Sequence, residues 1–215
     1  MAMLLLLLSF LLGSIPVGYV IGSVYGVDVR RRGSGNVGTT NVQRLVGNKA
    51  AFLTLIGDLF KGGLCALLPY FFFGPLSSYS LFGSFSVAPV AFQSLCAFLA
   101  VLGHCFSPFL GFKGGKGVAT SCGAFFVLSP LSALLCLLSF CLVAYLSRYV
   151  SLASMVSSLL LPVFIVFVEN QGRRGATLGL AIGLAVLILL RHVPNIKRLL
   201  GGGENSLGNS RQSPS

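Results

Sequence analysis

Val118-Ala119-Thr120-Ser121-Cys122-Gly123-Ala124-Phe125-Phe126-Val127-Leu128 is followed by Ser129-Pro130 and then by a second apolar run, Leu131 to Leu146. How these residues are divided sets the sidedness of everything after them. The first run is too short to cross about 30 Å of hydrocarbon at full length, and Pro130 separates it from the helix that follows. It is therefore thinned, tilted with its flanks, or re-entrant. The alternative is one long span over residues 118–146, which reverses the later topology.

The rest of the chain is apolar in the same manner. Of 215 residues, 55% are hydrophobic and 9% charged, far below the roughly 25% charged of soluble domains. The chain reads as an integral membrane protein with one embedded domain, residues 1–204, and a flexible cytoplasmic tail, residues 205–215. The other apolar segments are Met1 to about Tyr25, taken as a retained first span, and about Ala51–Phe73, Val87–Leu102, Val150–Val168 and Ala176–Leu190. With residues 118–128 and 131–146 this predicts an all-α, polytopic helical membrane protein of about seven transmembrane helices.

Basic residues decide between the two topologies. If residues 118–146 go across and return, one side carries Arg30, Arg31, Arg32, Arg44, Lys49, Lys113, Lys116, Arg148, Arg191, Lys197, Arg198 and Arg211, twelve in all, and the other only Arg173 and Arg174. The single-span alternative gives nine against five. Cytoplasmic loops carry the excess of Lys and Arg, so the first arrangement is expected, with the N-terminus outside and the C-terminus cytoplasmic. Fifteen basic residues against four acids are then explained by loops and anionic lipid headgroups, and no nucleic-acid partner is expected. The six cysteines lie in or beside apolar segments without CxxC spacing, which predicts neither a metal site nor a disulfide framework.

The polar residues of the expected cytoplasmic face gather in four loops. The first, Ser34-Gly35-Asn36-Val37-Gly38-Thr39-Thr40-Asn41-Val42-Gln43-Arg44, offers hydroxyl, amide and guanidinium donors among glycines, the groups that recognise phosphate and polyol oxygens. The second, Gly103 to Thr120, contains His104, Lys113, Gly114, Gly115, Lys116 and Gly117, where glycines let backbone N–H groups approach an anion and lysines add charge. It is not a Walker A motif, because Leu110 stands at the first glycine and Gly117 where Ser or Thr should follow. The third loop contributes Arg148 and Ser151, and the fourth His192, Asn195, Lys197 and Arg198.

Inside the second span, Asp58 and Lys61 sit at i, i+3, a spacing that pairs them on one helical face or lets Lys61 snorkel to the phosphate site. Asp28, Asp58, Glu169 and Glu204 are the only acids, and Pro108 and Phe109 follow His104, so neither a magnesium-binding carboxylate cluster nor a His-x4-Asp box exists. No Ser-His-Asp triad is evident. A phosphate or organophosphate transporter is the alternative reading, disfavoured because the polar motifs collect on one face while transporter sites lie near the midplane.

At these residues the sequence closely resembles the membrane acyl-phosphate:glycerol-3-phosphate acyltransferase family, PlsY in bacteria. The resemblance rests on Gly13-Ser14-Ile15-Pro16-Val17-Gly18-Tyr19, on Ser34 to Arg44, on Asp58-Leu59-Phe60-Lys61-Gly62, on the glycine-lysine loop, and on His192-x-x-Asn195-Ile196-x-Arg198-Leu199. It implies seven spans and transfer of a fatty acyl group from acyl phosphate to the sn-1 hydroxyl of glycerol 3-phosphate. The products would be lysophosphatidic acid and phosphate, the first step of phospholipid synthesis, made without cofactor or metal. It further implies a bacterial cytoplasmic (inner) membrane enzyme in contact with membrane lipid and functionally coupled to an acyl-phosphate-forming enzyme.

Carried over residue by residue, Ser34, Arg44, Lys116 and His192 form the expected catalytic set. Asn36, Asn41, Lys61, His104, Lys113, Gly114, Gly115, Gly117, Ser151 and Asn195 form the expected substrate-binding set, and Glu204 resembles a structural glutamate. Departures from the family pattern are Thr39 in place of alanine, Ser107-Pro108 ahead of the glycine loop, and Pro194, which bears on the placement of His192 and Asn195. The base that accepts the attacking hydroxyl's proton is either the phosphate of glycerol 3-phosphate itself or a histidine.

Overall fold

The computed structural model describes residues 1–74, 79–82 and 85–208. Ten helices are found among them: α1 Ala2–Ser14, α2 Val17–Val24, α3 Thr39–Leu45, α4 Asn48–Phe73, α5 Pro89–Cys105, α6 Val118–Leu128, α7 Pro130–Ser147, α8 Val150–Val168, α9 Gln171–Arg191 and α10 Val193–Leu200. Among the described residues six stretches are long and apolar enough to cross a bilayer: Ala2–Val24, Asn48–Phe73, Pro89–Leu110, Pro130–Ser147, Val150–Val168 and Gln171–Arg191. The eleven-residue α6 is the shorter apolar helix.

The regular structure of the described residues is helical, as expected, apart from one short hairpin. Between α4 and α5 the backbone pairs as an antiparallel hairpin, β1 Tyr79–Phe82 with β2 Phe85–Val87, in register Tyr79 opposite Val87 and Ser80 opposite Ser86. Pairing across the two strands satisfies backbone N–H and C=O groups that this connection would otherwise leave open. The first apolar segment is also not one continuous helix. Pro16, which has no N–H to donate, parts α1 from α2, and the Ile15 carbonyl freed at the break accepts from Lys61 Nζ at 2.9 Å.

The stretch 118–147 goes out and comes back. Arg173 at the start of α9 donates to the Leu128 carbonyl at the far end of α6. Ser151 at the start of α8 reaches Glu204, which also accepts from Asn195, whose amide oxygen takes Lys116 from the start of α6. Residues 116 and 151 therefore share one end of the bundle and residue 128 lies at the other, which excludes the single-span alternative. The turn is made at Ser129, where Ser129 Oγ donates to Ser132 Oγ and Pro130 opens α7.

Close packing replaces length in α6. The helix packs chiefly on α4, with Thr120 and Gly123 at the contact, and turns Ala124, Phe125 and Leu128 into the central core. A Cβ on Gly62 would overlap the Thr120 carbonyl, and one on Gly123 would overlap the Leu59 carbonyl. Lipid supplies no hydrophobic drive between helices, so close backbone approach at small residues supplies the contact. Gly62 thus packs the seam between α4 and α6. The central core joins Ala97 and Val101 of α5, Phe125 and Leu128 of α6, Leu161 and Ile165 of α8, and Leu184 of α9.

Candidate active site

The first loop is shaped by its own side chains. Asn41 accepts from Ser34 N at 3.0 Å and donates to the carbonyls of Val29 at 2.9 Å and Arg32 at 3.2 Å. Its amide is spent on folding the loop, although the residue borders a cavity. Asn36 Oδ1 takes Gly38 N at 2.8 Å, leaving its amide nitrogen to the cavity. Asp28 holds Arg30 through both oxygens, at 2.9 and 2.8 Å, while the Arg30 guanidinium lies 4.3 Å from the Tyr19 ring centre. The paired arginine pulls the Asp28 carboxyl down to about 2. Among the described residues Arg44 has no protein acceptor; burial lowers its pKa from the usual guanidinium value while Glu204 opposes that shift.

The glycine loop is not the open cradle its composition suggests. Gly114 N donates to the Cys105 carbonyl at 3.1 Å and Gly115 N to the His104 carbonyl at 3.0 Å. Both N–H groups expected to face an anion are consumed at the end of α5. Free donors begin one residue later: among the described residues the N–H groups from Lys116 to Thr120, the run that opens α6, have no backbone partner, and the Ser121 N–H is the first to bond back, to Gly117. His104 lies beneath the loop with Nε2 against Gly115, where any side chain would collide, and Nδ1 3.5 Å from Asp58.

Lys61 is not brought to the cavities. Its ammonium pairs with Asp58 at 2.8 Å and with the Ile15 carbonyl, and the pair is 7% and 3% exposed. Lys61 therefore lies in a buried cluster with Asp58 and His104, and of these only Asp58 and His104 border a cavity.

The remaining residues converge on Glu204. Its Oε1 accepts from Ser151 Oγ at 2.8 Å and Asn195 Nδ2 at 2.6 Å, and its Oε2 from Arg198 Nε at 2.7 Å. These donors hold the carboxyl below the usual range against the burial that would raise it. Lys116 Nζ donates to Asn195 Oδ1 at 2.6 Å. Burial brings Lys116 down to about 8, with Glu204 opposing and Arg198, Arg44 and Arg191 adding to the fall.

Pro194 does no damage here. It sits in the first turn of α10, where an N–H is not needed, and His192 ends α9 and begins α10, its carbonyl accepting from Asn195 N and Ile196 N. His192 Nδ1 lies 2.8 Å from the Ile188 carbonyl. A carbonyl only accepts, so Nδ1 carries the proton and Nε2 is left as the acceptor. Burial, followed by the Lys116 charge, lowers this imidazole to about 4 and keeps it neutral at pH 7. Past Glu204, Leu207 N still donates to the Arg148 carbonyl at 2.7 Å; residues 209–215 of the expected tail lie outside the described residues.

Two cavities meet at these groups. One, about 700 Å³, is lined by Arg30, Arg31, Lys113, Lys116, Arg191 and Arg198 together with Ser34, Asn36, Gly114 and Asn195. The other, about 540 Å³, has Arg44, Ser151 and His192 at its polar end, Gly117 and His104 beside them, and Leu55, Leu59, Phe125, Phe126, Leu137, Phe140 and Leu161 along its length. Ser34, Asn36, Lys116, Asn195 and Arg198 belong to both. Sequence reasoning missed Arg191 in the first cavity and the serine row Ser154, Ser157 and Ser158 in the second. Arg191 stands directly before His192 in a recognised motif, a signal that was present, whereas the serines are isolated in an apolar run and carried none.

A cationic chamber sharing a polar wall with an apolar one is chemically suited to hold phosphate groups beside an apolar chain. The chain belongs to the glycerol-3-phosphate acyltransferase family, whose model matches residues 3–202. It is 40% identical over 203 residues to the glycerol-3-phosphate acyltransferase of Geobacter sulfurreducens, covering 94% of this chain and 96% of that one. With its counterpart from Syntrophotalea carbinolica it is 39% identical over 203 residues, covering 94% and 95%. Its fold is similar to the crystal structure of PlsY (YgiH), an integral membrane glycerol 3-phosphate acyltransferase, in the glycerol 3-phosphate form, at a TM-score of 0.84 and 39% identity over 96% of each chain. The lysophosphatidic acid form of that protein gives a TM-score of 0.82 over 96% of this chain and 95% of that one, again at 39% identity.

Proposed function

We propose that this membrane enzyme takes its acyl group from acyl phosphate and delivers it to the sn-1 hydroxyl of glycerol 3-phosphate. The observation that carries the proposal is the pair of cavities with a common wall: a cationic chamber for phosphate groups and an apolar one for a fatty chain, both bordered by Ser34, Lys116 and Asn195. Ser34, Arg44, Lys116 and Asn195 hold glycerol 3-phosphate. Lys113 and the unpaired N–H groups opening α6 face the phosphate of the donor. The fatty chain lies along Leu59, Phe125, Phe140 and Leu161.

In the reaction the hydroxyl oxygen forms a bond to the acyl carbonyl carbon, the bond from that carbon to the phosphate oxygen breaks, and inorganic phosphate leaves with its electron pair. The leaving group is already good, so orientation and fixed positive charge supply most of the catalysis. The hydroxyl proton passes to the phosphate of glycerol 3-phosphate. A phosphate dianion, with a second pKa of about 6, is the better base than an imidazole depressed to about 4. His104 is the poorer histidine for that role, being buried with its Nδ1 3.5 Å from Asp58. Neutral His192 instead offers Nε2 as a hydrogen-bond acceptor that orients the substrate hydroxyl.

The distribution of basic loop residues supports a bacterial inner membrane protein with seven crossings, α6 counted as one, and with the site on the cytoplasmic face. Labelling of an Arg31→Cys variant, freed of its native cysteines, by an impermeant maleimide from the cytoplasmic side alone is the expected result; labelling from the outside contradicts it. Functional coupling to an enzyme that makes acyl phosphate follows from the donor's lability.

The decisive assay supplies purified protein in sealed vesicles with palmitoyl phosphate and glycerol 3-phosphate. Lysophosphatidic acid is the expected product. Uptake of glycerol 3-phosphate without product overturns the enzyme reading in favour of transport.

A further inference from the structure

Arg191, the last residue of α9, has no place in the roles assigned above. Its Nη2 donates to the Gly114 carbonyl at 2.8 Å and its Nε to the Gly115 carbonyl at 3.0 Å. The N–H groups of the same two glycines are held by the Cys105 and His104 carbonyls. The peptide unit between Gly114 and Gly115 is thus held on both edges, by the His104 carbonyl of α5 on one side and the planar guanidinium on the other, and the unit on either side of it is held on one edge, by Cys105 before and by the guanidinium after. That guanidinium lies 5.3 Å from the Phe106 ring centre, which limits its tilt.

The two ends of this grip matter for chemistry. Immediately beyond Gly115 comes Lys116, followed by the unpaired N–H run of α6. Immediately beyond Arg191 comes His192, and three residues further Asn195, which receives the Lys116 ammonium. Arg191 therefore joins the strand of loop that carries one set of reacting groups to the helix end that carries the other.

We infer that Arg191 is a positioning residue of the acyl transfer: its fork on the Gly114 and Gly115 carbonyls fixes Lys116 and the start of α6 relative to His192 and Asn195. The inference rests on the function proposed above. A lysine cannot replace the fork, because an ammonium is a point charge on a flexible stem and does not set the plane of two successive peptides. Misplacement by an ångström is enough to lower turnover about a hundredfold while leaving ground-state binding largely intact.

The test compares wild type with Arg191→Lys and Arg191→Ala in detergent, using palmitoyl phosphate and glycerol 3-phosphate. Arg191→Lys is expected to lower kcat by roughly 10- to 100-fold with KM for glycerol 3-phosphate within about threefold of wild type. Arg191→Ala is expected to regain at least about fivefold in kcat when guanidinium ion is added, as returning the missing fork requires. Amide hydrogen exchange over residues 112–117 should rise in Arg191→Ala and fall again with guanidinium.

Near-native kcat in Arg191→Lys overturns the inference, as does a rise in KM at unchanged kcat, which would make Arg191 a substrate ligand. Folded Arg191→Ala that guanidinium does not rescue also overturns it. Should Arg191→Ala not fold, the kcat and KM of Arg191→Lys decide alone. Wild type that makes no product overturns the proposed function, and the exchange measurement still decides whether Arg191 holds the loop.

Discussion

Replacing Lys116 by alanine removes the ammonium that donates to Asn195 Oδ1 at 2.6 Å from a position where both cavities meet. A hydrogen bond from a charged group is worth about 1.5–3 kcal/mol, and loss of a preorganised donor in a water-poor site costs about 10²–10³ in kcat. A drop of that size in kcat/KM is expected, measured as lysophosphatidic acid formed at sub-saturating glycerol 3-phosphate. The pH dependence makes the prediction sharper. Burial lowers Lys116 to about 8, so the charge is present at neutral pH and lost as pH rises through that value. Wild-type kcat/KM, which reports the free enzyme, should therefore fall about tenfold per pH unit above it. Lys116→Arg keeps its charge and should lose that alkaline limb while retaining part of the activity. Lys116→Ala within about threefold of wild type, or an alkaline limb unchanged in Lys116→Arg, refutes the reasoning.

The acid limb of kcat/KM should lie near the phosphate's second pKa of about 6 and stay there in His192→Gln, whose turnover falls about 10- to 100-fold from lost orientation; a limb at the lower His192 value that disappears in the variant would make the imidazole the base. Gly123→Val drives methyl groups into the Leu59 carbonyl, so a loss of at least about 1–3 kcal/mol is expected as a lower melting temperature of the purified protein, and an unchanged Tm would contradict the packing described. Glu204→Gln leaves Ser151, Asn195 and Arg198 with a weaker acceptor, and activity should fall about tenfold by product assay. Because the Glu204 carboxyl is held below its usual range, its stabilisation is complete above the ordinary carboxylate pKa and lost as pH falls through the lowered value. Wild type should therefore lose thermal stability in acid more steeply than Glu204→Gln, and parallel acid profiles would refute this.

The spans were legible because apolar runs of the right length leave few alternatives: residues 118–128 and 150–168 are matched to the residue by α6 and α8. The separation at Pro130 and the count of arginines and lysines sufficed to choose the out-and-back path, and the ties among Lys116, Asn195, Glu204 and Ser151 show why it is taken. The break at Pro16 was harder to read, because proline inside an apolar run is compatible with a kinked single span. The hairpin was missed although its signal was present: Tyr79 to Phe82 and Phe85 to Val87 flank Gly83-Ser84, a pair that marks a two-residue hairpin turn.

At the site, residue types were easier to read than their employment. Asn41, Gly114 and Gly115 carry the groups that bind phosphate, yet their polar atoms are consumed in holding the two loops. Whether an N–H is free depends on which carbonyl lies behind it, and the carbonyls concerned belong to α5. Lys61 illustrates the same limit: its i, i+3 spacing to Asp58 was plain, but the Ile15 carbonyl that fixes it comes from 46 residues away.

The central claim is that an activated acyl phosphate is the donor, and the most direct measurement is the stoichiometry of its consumption. Purified protein should release one inorganic phosphate for each lysophosphatidic acid made from palmitoyl phosphate and glycerol 3-phosphate, and should make no product when palmitoyl-coenzyme A or palmitoylated carrier protein replaces the phosphate. Product formed from a thioester at a comparable rate, or phosphate released without lysophosphatidic acid, would contradict the account.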